Sequence, residues 1–279
     1  MLISTKVILL KAVIFCFAIT WLSCGGDGRT GFNRKSEKVN KPENSSNNET
    51  GSSAAEKVFI RSADGTILAG SFFKAKKEGS APAVLLLHQW QANRHTFDDL
   101  AERLANLGLS SLSIDGRGFG ESTKSEDGKS VTAERTSQAV EQMLEDVKAS
   151  VNFLRTKQGV DPERIAIIGA SYGSSLALLY AANFDQEVKG LILLSPGLNY
   201  FGNMDTTAAI KKYGDRPILM LAAEDDPESA NAVRRLKELS GGKADSEIFS
   251  SGGHGTYLLS NQESVKKIEN FLTSALDIQ

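Results

Sequence analysis

Cysteine is scarce in this chain of 279 residues: there are two, Cys16 and Cys24, and none after them. The body therefore has no disulfide to hold it, so its stability must come from a packed core. A cysteine-free body tolerates an oxidising compartment without requiring one. Long apolar runs are missing too. The uninterrupted apolar stretch, residues 12–22, falls short of the roughly 20 residues that a membrane-spanning helix needs. Nor is there a basic block. Lys and Arg are dispersed and the formal net charge is −2, which argues against nucleic acid as the main partner. Histidine is rare, with only His88, His95 and His254 available for acid–base work. Apolar residues, at 41%, are sufficient for one sizeable core.

The beginning of the chain does not read as part of a fold. Lys6 and Lys11 precede or interrupt a short apolar core, the pattern of a secretory signal. An uncleaved signal-anchor is the alternative. The core ends at Trp21-Leu22-Ser23-Cys24-Gly25. A Cys after a small residue at this point resembles the bacterial lipoprotein signal, in which that Cys is lipidated and becomes the new N-terminus. Trp21 stands where the usual pattern has Leu. The resemblance implies lipidation of Cys24 and anchoring to a bacterial membrane, facing the periplasm or the cell surface. An ordinary cleaved signal that happens to contain a Cys is the plainer reading.

Residues 25–55 are rich in Gly, Ser, Asn, Lys and Glu. So polar a segment cannot bury enough surface to offset its ordering entropy, and it reads as a disordered tether. Its glycosylation-type sequons, at Asn44 and Asn48, are what chance supplies in a tract of this composition. Residues 56–279 form the remaining domain.

That domain alternates strands and helices. Residues 58–60 and 67–73 predict two strands joined at Asp64-Gly65. Residues 83–87 and 165–168 are continuous apolar runs, as in strands buried on both faces, and residues 109–114, 188–194 and 217–222 read as further strands. Helical spacing occupies residues 97–107, 138–157, 174–183, 228–239 and 264–276, with a short strand at 247–249. The alternation predicts an α/β fold: a mostly parallel central sheet with helices on both faces. The stretch between residues 194 and 217 has room for one helix or a small flap, not for a large lid.

Gly169-Ala170-Ser171-Tyr172-Gly173 has the form Gly-x-Ser-x-Gly. Alone it is a weak signal in a glycine-rich chain. Its position between a buried strand and a helix is the context of a nucleophile elbow. The glycines let the turn approach its neighbours, and the turn lifts the hydroxyl to a helix N-terminus that favours negative charge. A phosphate-cradling turn is the rival, but this turn has neither a Gly-Lys-Ser/Thr ending nor the GxGxxG form. A serine nucleophile needs a base. His254 lies in the loop Gly252-Gly253-His254-Gly255 before the last helix. Its acid partner belongs among Glu224, Asp225 and Asp226, after the strand ending at Ala222, in the chain order Ser, acid, His. Asp226 is the first choice and Asp225 the second, although Asp226 before Pro227 could also be a helix cap. The oxyanion needs two donors. One is the backbone N–H of Tyr172. The other belongs to the loop after residue 87, with Trp90 preferred and Gln89 second. His88, at the strand end, reads as a brace for that loop.

Together these residues resemble the α/β-hydrolase superfamily, from residue 58 to the C-terminus. Asp115-Gly116-Arg117-Gly118-Phe119-Gly120-Glu121-Ser122 is similar to the turn after that fold's fourth strand. The loop at His88 is similar to its His-Gly segment, with Gln89 where Gly is usual, as in some members near dienelactone hydrolases and serine aminopeptidases. The resemblance implies an α/β-hydrolase fold of the compact kind. Ser171 in the elbow, rather than Asp or Cys, implies acyl transfer to water.

The expectation is an exported, lipid-anchored serine esterase acting on a small acyl substrate, with no metal or organic cofactor implied. A peptidase or amidase on small substrates is the nearest alternative. A catalytically inactive binding protein is a more distant one.

Overall fold

The computed structural model describes residues 55–184 and 187–278. The leader, Cys24, both sequons and nearly all of the polar segment lie outside the described residues.

The first two strands, β1 (Glu56–Arg61) and β2 (Thr66–Phe73), form an antiparallel hairpin. In the connection, Asp64 accepts from Thr66 N–H (3.0 Å) and Gly65 takes φ +85°. Strand β3 (Ala81–Leu87) follows. A 3-10 turn (Arg94–Phe97) leads into α1 (Asp98–Asn106), so the helix starts later than its spacing suggests. Asn93 explains the delay: its side chain accepts from His95 N–H and caps the 3-10 turn instead.

Strand β4 (Ser110–Ile114) comes next, then a two-residue strand β5 (Lys124–Ser125) that has no sequence signature. Helix α2 (Ser137–Thr156) is capped by Thr136. Strand β6 (Val160–Ala170) runs straight into α3 (Tyr172–Asn183) across one residue, Ser171. Strand β7 (Gly190–Leu194) is followed by a small hairpin, β8 (Asn199–Tyr200) with β9 (Met204–Asp205), and by α4 (Thr206–Tyr213). Strand β10 (Ile218–Ala223), α5 (Pro227–Leu239), β11 (Asp245–Phe249) and α6 (Gln262–Ala275) complete the chain.

The sheet order is β1-β2-β4-β3-β6-β7-β10-β11, with β5 beside β2. From β4 to β11 every pairing is parallel; β1, β2 and β5 are antiparallel. The period of two divides each buried strand between two cores. Leu85, Leu87, Ile165 and Ile167 pack under α2 and α3, while Val84, Leu86, Ala166 and Ile168 pack under α1 and α6. Continuous apolar runs arise here because both faces are covered. Among the described residues, no helix is long and apolar enough to cross a membrane.

Two buried ion networks fix the loops at the C-terminal ends of the strands. Asp115, fully buried, accepts from Arg94 N–H and Glu121 N–H (both 2.8 Å) and is paired with the Arg94 guanidinium. Gly120 lies over this carboxylate at φ +49°; a Cβ there would come within 2.2 Å of Asp115 Oδ2. Arg117 makes a two-pronged contact with Asp146, both bonds 2.7 Å, and reaches Asp64 at 2.8 Å. The Arg117 guanidinium holds the Asp64 carboxyl down at about 2, from an ordinary 3.8. The Asp-x-Arg-Gly-x-Gly-x-Ser turn is thus a structural brace. Its Ser122 hydroxyl donates to the Asp115 carbonyl (2.7 Å) and accepts from Ala69 N–H (2.9 Å).

Candidate active site

Four strand ends converge on the site. The elbow comes first. Ser171 holds φ +53°, in the left-handed region that an L side chain adopts only under constraint. The constraint is close packing. A Cβ on Gly169 would lie 2.2 Å from the Gly173 carbonyl oxygen, and one on Gly173 would lie 2.5 Å from the Leu87 carbonyl oxygen. Both glycines are therefore obligatory, and the start of α3 sits directly against the end of β3. The Ser171 N–H donates to the Leu194 carbonyl (2.8 Å), fixing the elbow to β7.

The Ser171 hydroxyl donates to His254 Nε2 (2.7 Å), and His254 Nδ1 donates to Asp226 Oδ2 (2.7 Å). The three side chains make one proton-transfer chain. Ser171 is 6% exposed, whereas the His254 side chain keeps 43%, so the imidazole is open to an incoming molecule. Asp226 stands at the N-terminus of α5 but makes no side-chain cap there; its carboxylate turns to the imidazole instead. Burial raises the Asp226 pKa, but hydrogen bonding from Ser229, His254 and Ser195 and the His254 charge outweigh it. The net direction is below the ordinary value, so the carboxylate is held ionised.

Asp225 has a different task. Its two carboxylate oxygens accept from Gly252 N–H (3.2 Å) and Gly253 N–H (3.0 Å), at the entry to the His254 loop. Two residues after Gly253, the Gly255 N–H donates to the Ser195 hydroxyl (2.8 Å). Thr256 donates its N–H (3.2 Å) and hydroxyl (2.9 Å) to Gln89 Oε1. Gly253 and Gly255 flank His254 at φ +67° and +65°, a conformation that glycine accepts freely. An intrinsically flexible loop is thus held by acceptors from the ends of β3, β7 and β10. Neither Ser195 nor Gln89 carries a local sequence signal for this role. Their partners lie 60 and 167 residues away, and no local pattern connects them.

On the other side of Ser171, the loop after β3 turns at residues 89–92. Ala92 N–H donates to the Gln89 carbonyl (3.1 Å), and Gln91 takes φ +63°. His88 is buried. Its Nε2 accepts from Gly116 N–H (2.9 Å), which leaves the proton on Nδ1, donated to the Gln89 carbonyl (2.7 Å). Burial pushes the His88 pKa below 6.5 and keeps the ring neutral. His88 therefore braces this loop against the turn after β4. His95 is an exposed partner of Asp98 on α1 (2.8 Å) and stands outside the triad.

Trp90 and Tyr172, the residues expected to supply oxyanion N–H groups, pack ring to ring (centroids 5.4 Å). Phe119 and Phe201 extend this aromatic wall, at 4.9 and 4.8 Å from Trp90. Arg135 stacks over Trp90 (4.8 Å) and Phe201 (5.0 Å). Tyr172 N–H lies in the first turn of α3, where backbone donors have no helical acceptor. Tyr200, in the small hairpin, donates its hydroxyl to the Ser195 carbonyl (3.1 Å). Burial pushes its phenol pKa up, against the Ser171 and Ser229 hydroxyls near it. Among the described residues, no group of three or more His, Cys, Asp or Glu side chains is placed to hold a metal ion.

Comparison with known proteins agrees with this architecture. The sequence matches the dienelactone hydrolase family over residues 68–268. It is 32% identical over 143 residues to an uncharacterized protein of Mycobacterium tuberculosis, covering 51% of this chain and 46% of that one. It is 30% identical over 173 residues to thiohydrolase apmlB of Arthrinium phaeospermum, covering 59% and 50%. The chain thus spans about half the length of the curated relatives it matches. Among solved structures, the Pyrococcus furiosus esterase Pf2001 superposes with a TM-score of 0.65 at 17% identity, covering 80% of this chain and 93% of the esterase. The fold is that of the α/β hydrolases, as the strand–helix alternation and the elbow predicted.

Proposed function

The chain belongs to the dienelactone hydrolase family, and from that premise we propose that it is a serine hydrolase cleaving carboxylic esters or thioesters through an acyl-enzyme. The observation that carries this reading is the continuous contact Ser171–His254–Asp226, two hydrogen bonds of 2.7 Å each.

The steps follow from those contacts. As Ser171 Oγ attacks the acyl carbon, its proton passes to His254 Nε2. Asp226 stabilises the imidazolium and keeps its orientation. The oxyanion is held by the N–H groups of Tyr172 and Trp90. On collapse of this intermediate, the alcohol or thiol leaves with the proton from His254. Water then gives a proton to His254 and its oxygen to the acyl carbon; collapse frees the acid and restores the serine hydroxyl. The esterase superposition and the thiohydrolase relative favour ester and thioester substrates over amides.

The same proposal covers the leader. Residues 1–24 direct export, Cys24 carries the lipid, and residues 25–55 hold the hydrolase domain, residues 56–279, away from a bacterial membrane.

Labelling with a fluorophosphonate probe tests the nucleophile. Wild type is expected to label and Ser171→Ala not to; an unlabelled wild type, or equal labelling of both, rejects the reading. Comparing p-nitrophenyl esters with aminoacyl anilides separates esterase from peptidase. For the anchor, incorporation of a fatty-acid analogue should disappear in Cys24→Ala, and its persistence would reject lipidation there.

A further inference from the structure

Gln89 stands where a glycine is usual, and a long side chain beside an oxyanion loop needs a physical reason. Its Oε1 leaves the loop after β3 and receives two hydrogen bonds from Thr256, one from the N–H and one from the hydroxyl (3.2 and 2.9 Å). Its backbone carbonyl is fixed as well, accepting from His88 Nδ1 and Ala92 N–H (2.7 and 3.1 Å). The residue is therefore anchored in one catalytic loop and attached to the other. The fit is tight: a Cβ on Gly255 would come within 3.0 Å of Gln89 Oε1.

The two loops need such a tie. His254 is carried by a segment with Gly on both sides, which has little intrinsic preference for one conformation. Trp90 follows Gln89 directly. The separation between the base and the oxyanion donor is set by how these loops sit relative to one another. Misplacement of about 1 Å costs catalysis on the order of a hundredfold.

We infer that Gln89 is a positioning residue, a strut that fixes the His254 loop against the oxyanion loop. The inference rests on the serine-hydrolase reading above. The strut acts on the geometry of proton transfer, so it affects kcat and leaves substrate binding nearly unchanged. Gln89→Met keeps the length and removes the acceptor. Gln89→Glu keeps an acceptor oxygen in the same place. Thr256→Val removes the hydroxyl donor from the opposite side.

For a p-nitrophenyl ester, Gln89→Met is expected to lower kcat about tenfold with KM within about twofold, and Gln89→Glu to recover most of the loss. Thr256→Val should lose less, because its N–H remains. The double variant Gln89→Met/Thr256→Val should be no worse than Gln89→Met, since both changes cut the same tie. Hydrogen exchange gives a readout independent of turnover: amides of residues 252–257 should exchange about tenfold faster in Gln89→Met. A kcat within twofold of wild type in both Gln89→Met and Thr256→Val, or equal losses in Gln89→Met and Gln89→Glu, overturns the inference. If wild type neither labels nor turns over ester, the serine-hydrolase reading fails. Hydrogen exchange then decides the strut alone: faster exchange supports it and unchanged exchange overturns it. If Gln89→Met does not fold, Thr256→Val carries the test in the same two measurements.

Discussion

Strands β6 and β7 lie side by side and end alike. Their last paired residues are Ala170 and Leu194, and each is followed by a serine, Ser171 and Ser195. Both serines are buried and both hold positive φ, +53° and +49°. Both donate a backbone N–H to the next strand, Ser171 to Leu194 and Ser195 to Leu221, each at 2.8 Å. Their hydroxyls nevertheless differ. That of Ser171 meets the open imidazole of His254, whereas that of Ser195 meets the N–H of Gly255 and lies near Asp226. Strain at a strand end therefore does not by itself make a nucleophile. On the proposed mechanism the partner does: a base that can take the proton activates the hydroxyl, and a backbone donor turns it into a support.

Alanine at each position gives the largest contrast. Ser171→Ala should reduce kcat by about a million-fold, leaving only what binding and the oxyanion donors provide. Ser195→Ala should cost on the order of tenfold, because the triad remains but its loop loses one tie. Steady-state kinetics on one ester decides this. Comparable losses in the two variants would erase the distinction between nucleophile and support.

The adjacent carboxylates repeat the contrast at smaller scale. Asp226→Asn should lower kcat by about ten-thousand-fold, since the amide favours the wrong imidazole tautomer. Asp225→Asn keeps an acceptor for one of the two glycine N–H groups and should lose about tenfold or less. A greater loss in Asp225→Asn than in Asp226→Asn would reassign the acid.

The sequence carried the fold well where the physics is local or periodic. Strands β3, β7 and β10 and residues 165–168 of β6 are apolar runs because helices cover both faces. Gly169 and Gly173 can be read because only glycine fits where a Cβ would strike backbone. The two-residue strands β5, β8 and β9 are too short to show alternation. Asp225 and Asp226 carry identical chemistry, and only the turn after β10 decides which one faces the imidazole. Oxyanion donors are backbone groups, which side-chain identity does not reveal. Gln89 and Ser195 find their partners through the tertiary fold, which joins loops far apart in the chain.

The smallest expected effect concerns stability and tests whether Ser195 serves the acid as well as the loop. The folded-state pKa of Asp226 lies below the ordinary 3.8 despite burial, with Ser195 among the groups that lower it. A carboxyl with a depressed folded pKa stabilises the fold above its unfolded pKa, and that stabilisation is lost as pH falls through the folded value. Removing the Ser195 hydroxyl moves the folded value back toward 3.8, so the acid-labile part of the stability shrinks. Ser195→Ala also leaves Gly255 N–H without its acceptor, a cost that is the same at every pH. The difference between urea midpoints at about pH 5 and about pH 3 cancels that constant cost and isolates the carboxyl. Wild type is expected to lose more stability over this interval than Ser195→Ala. An equal loss in both would mean that the Ser195 hydroxyl supports the His254 loop alone, and that Ser229 and His254 hold Asp226 ionised without it.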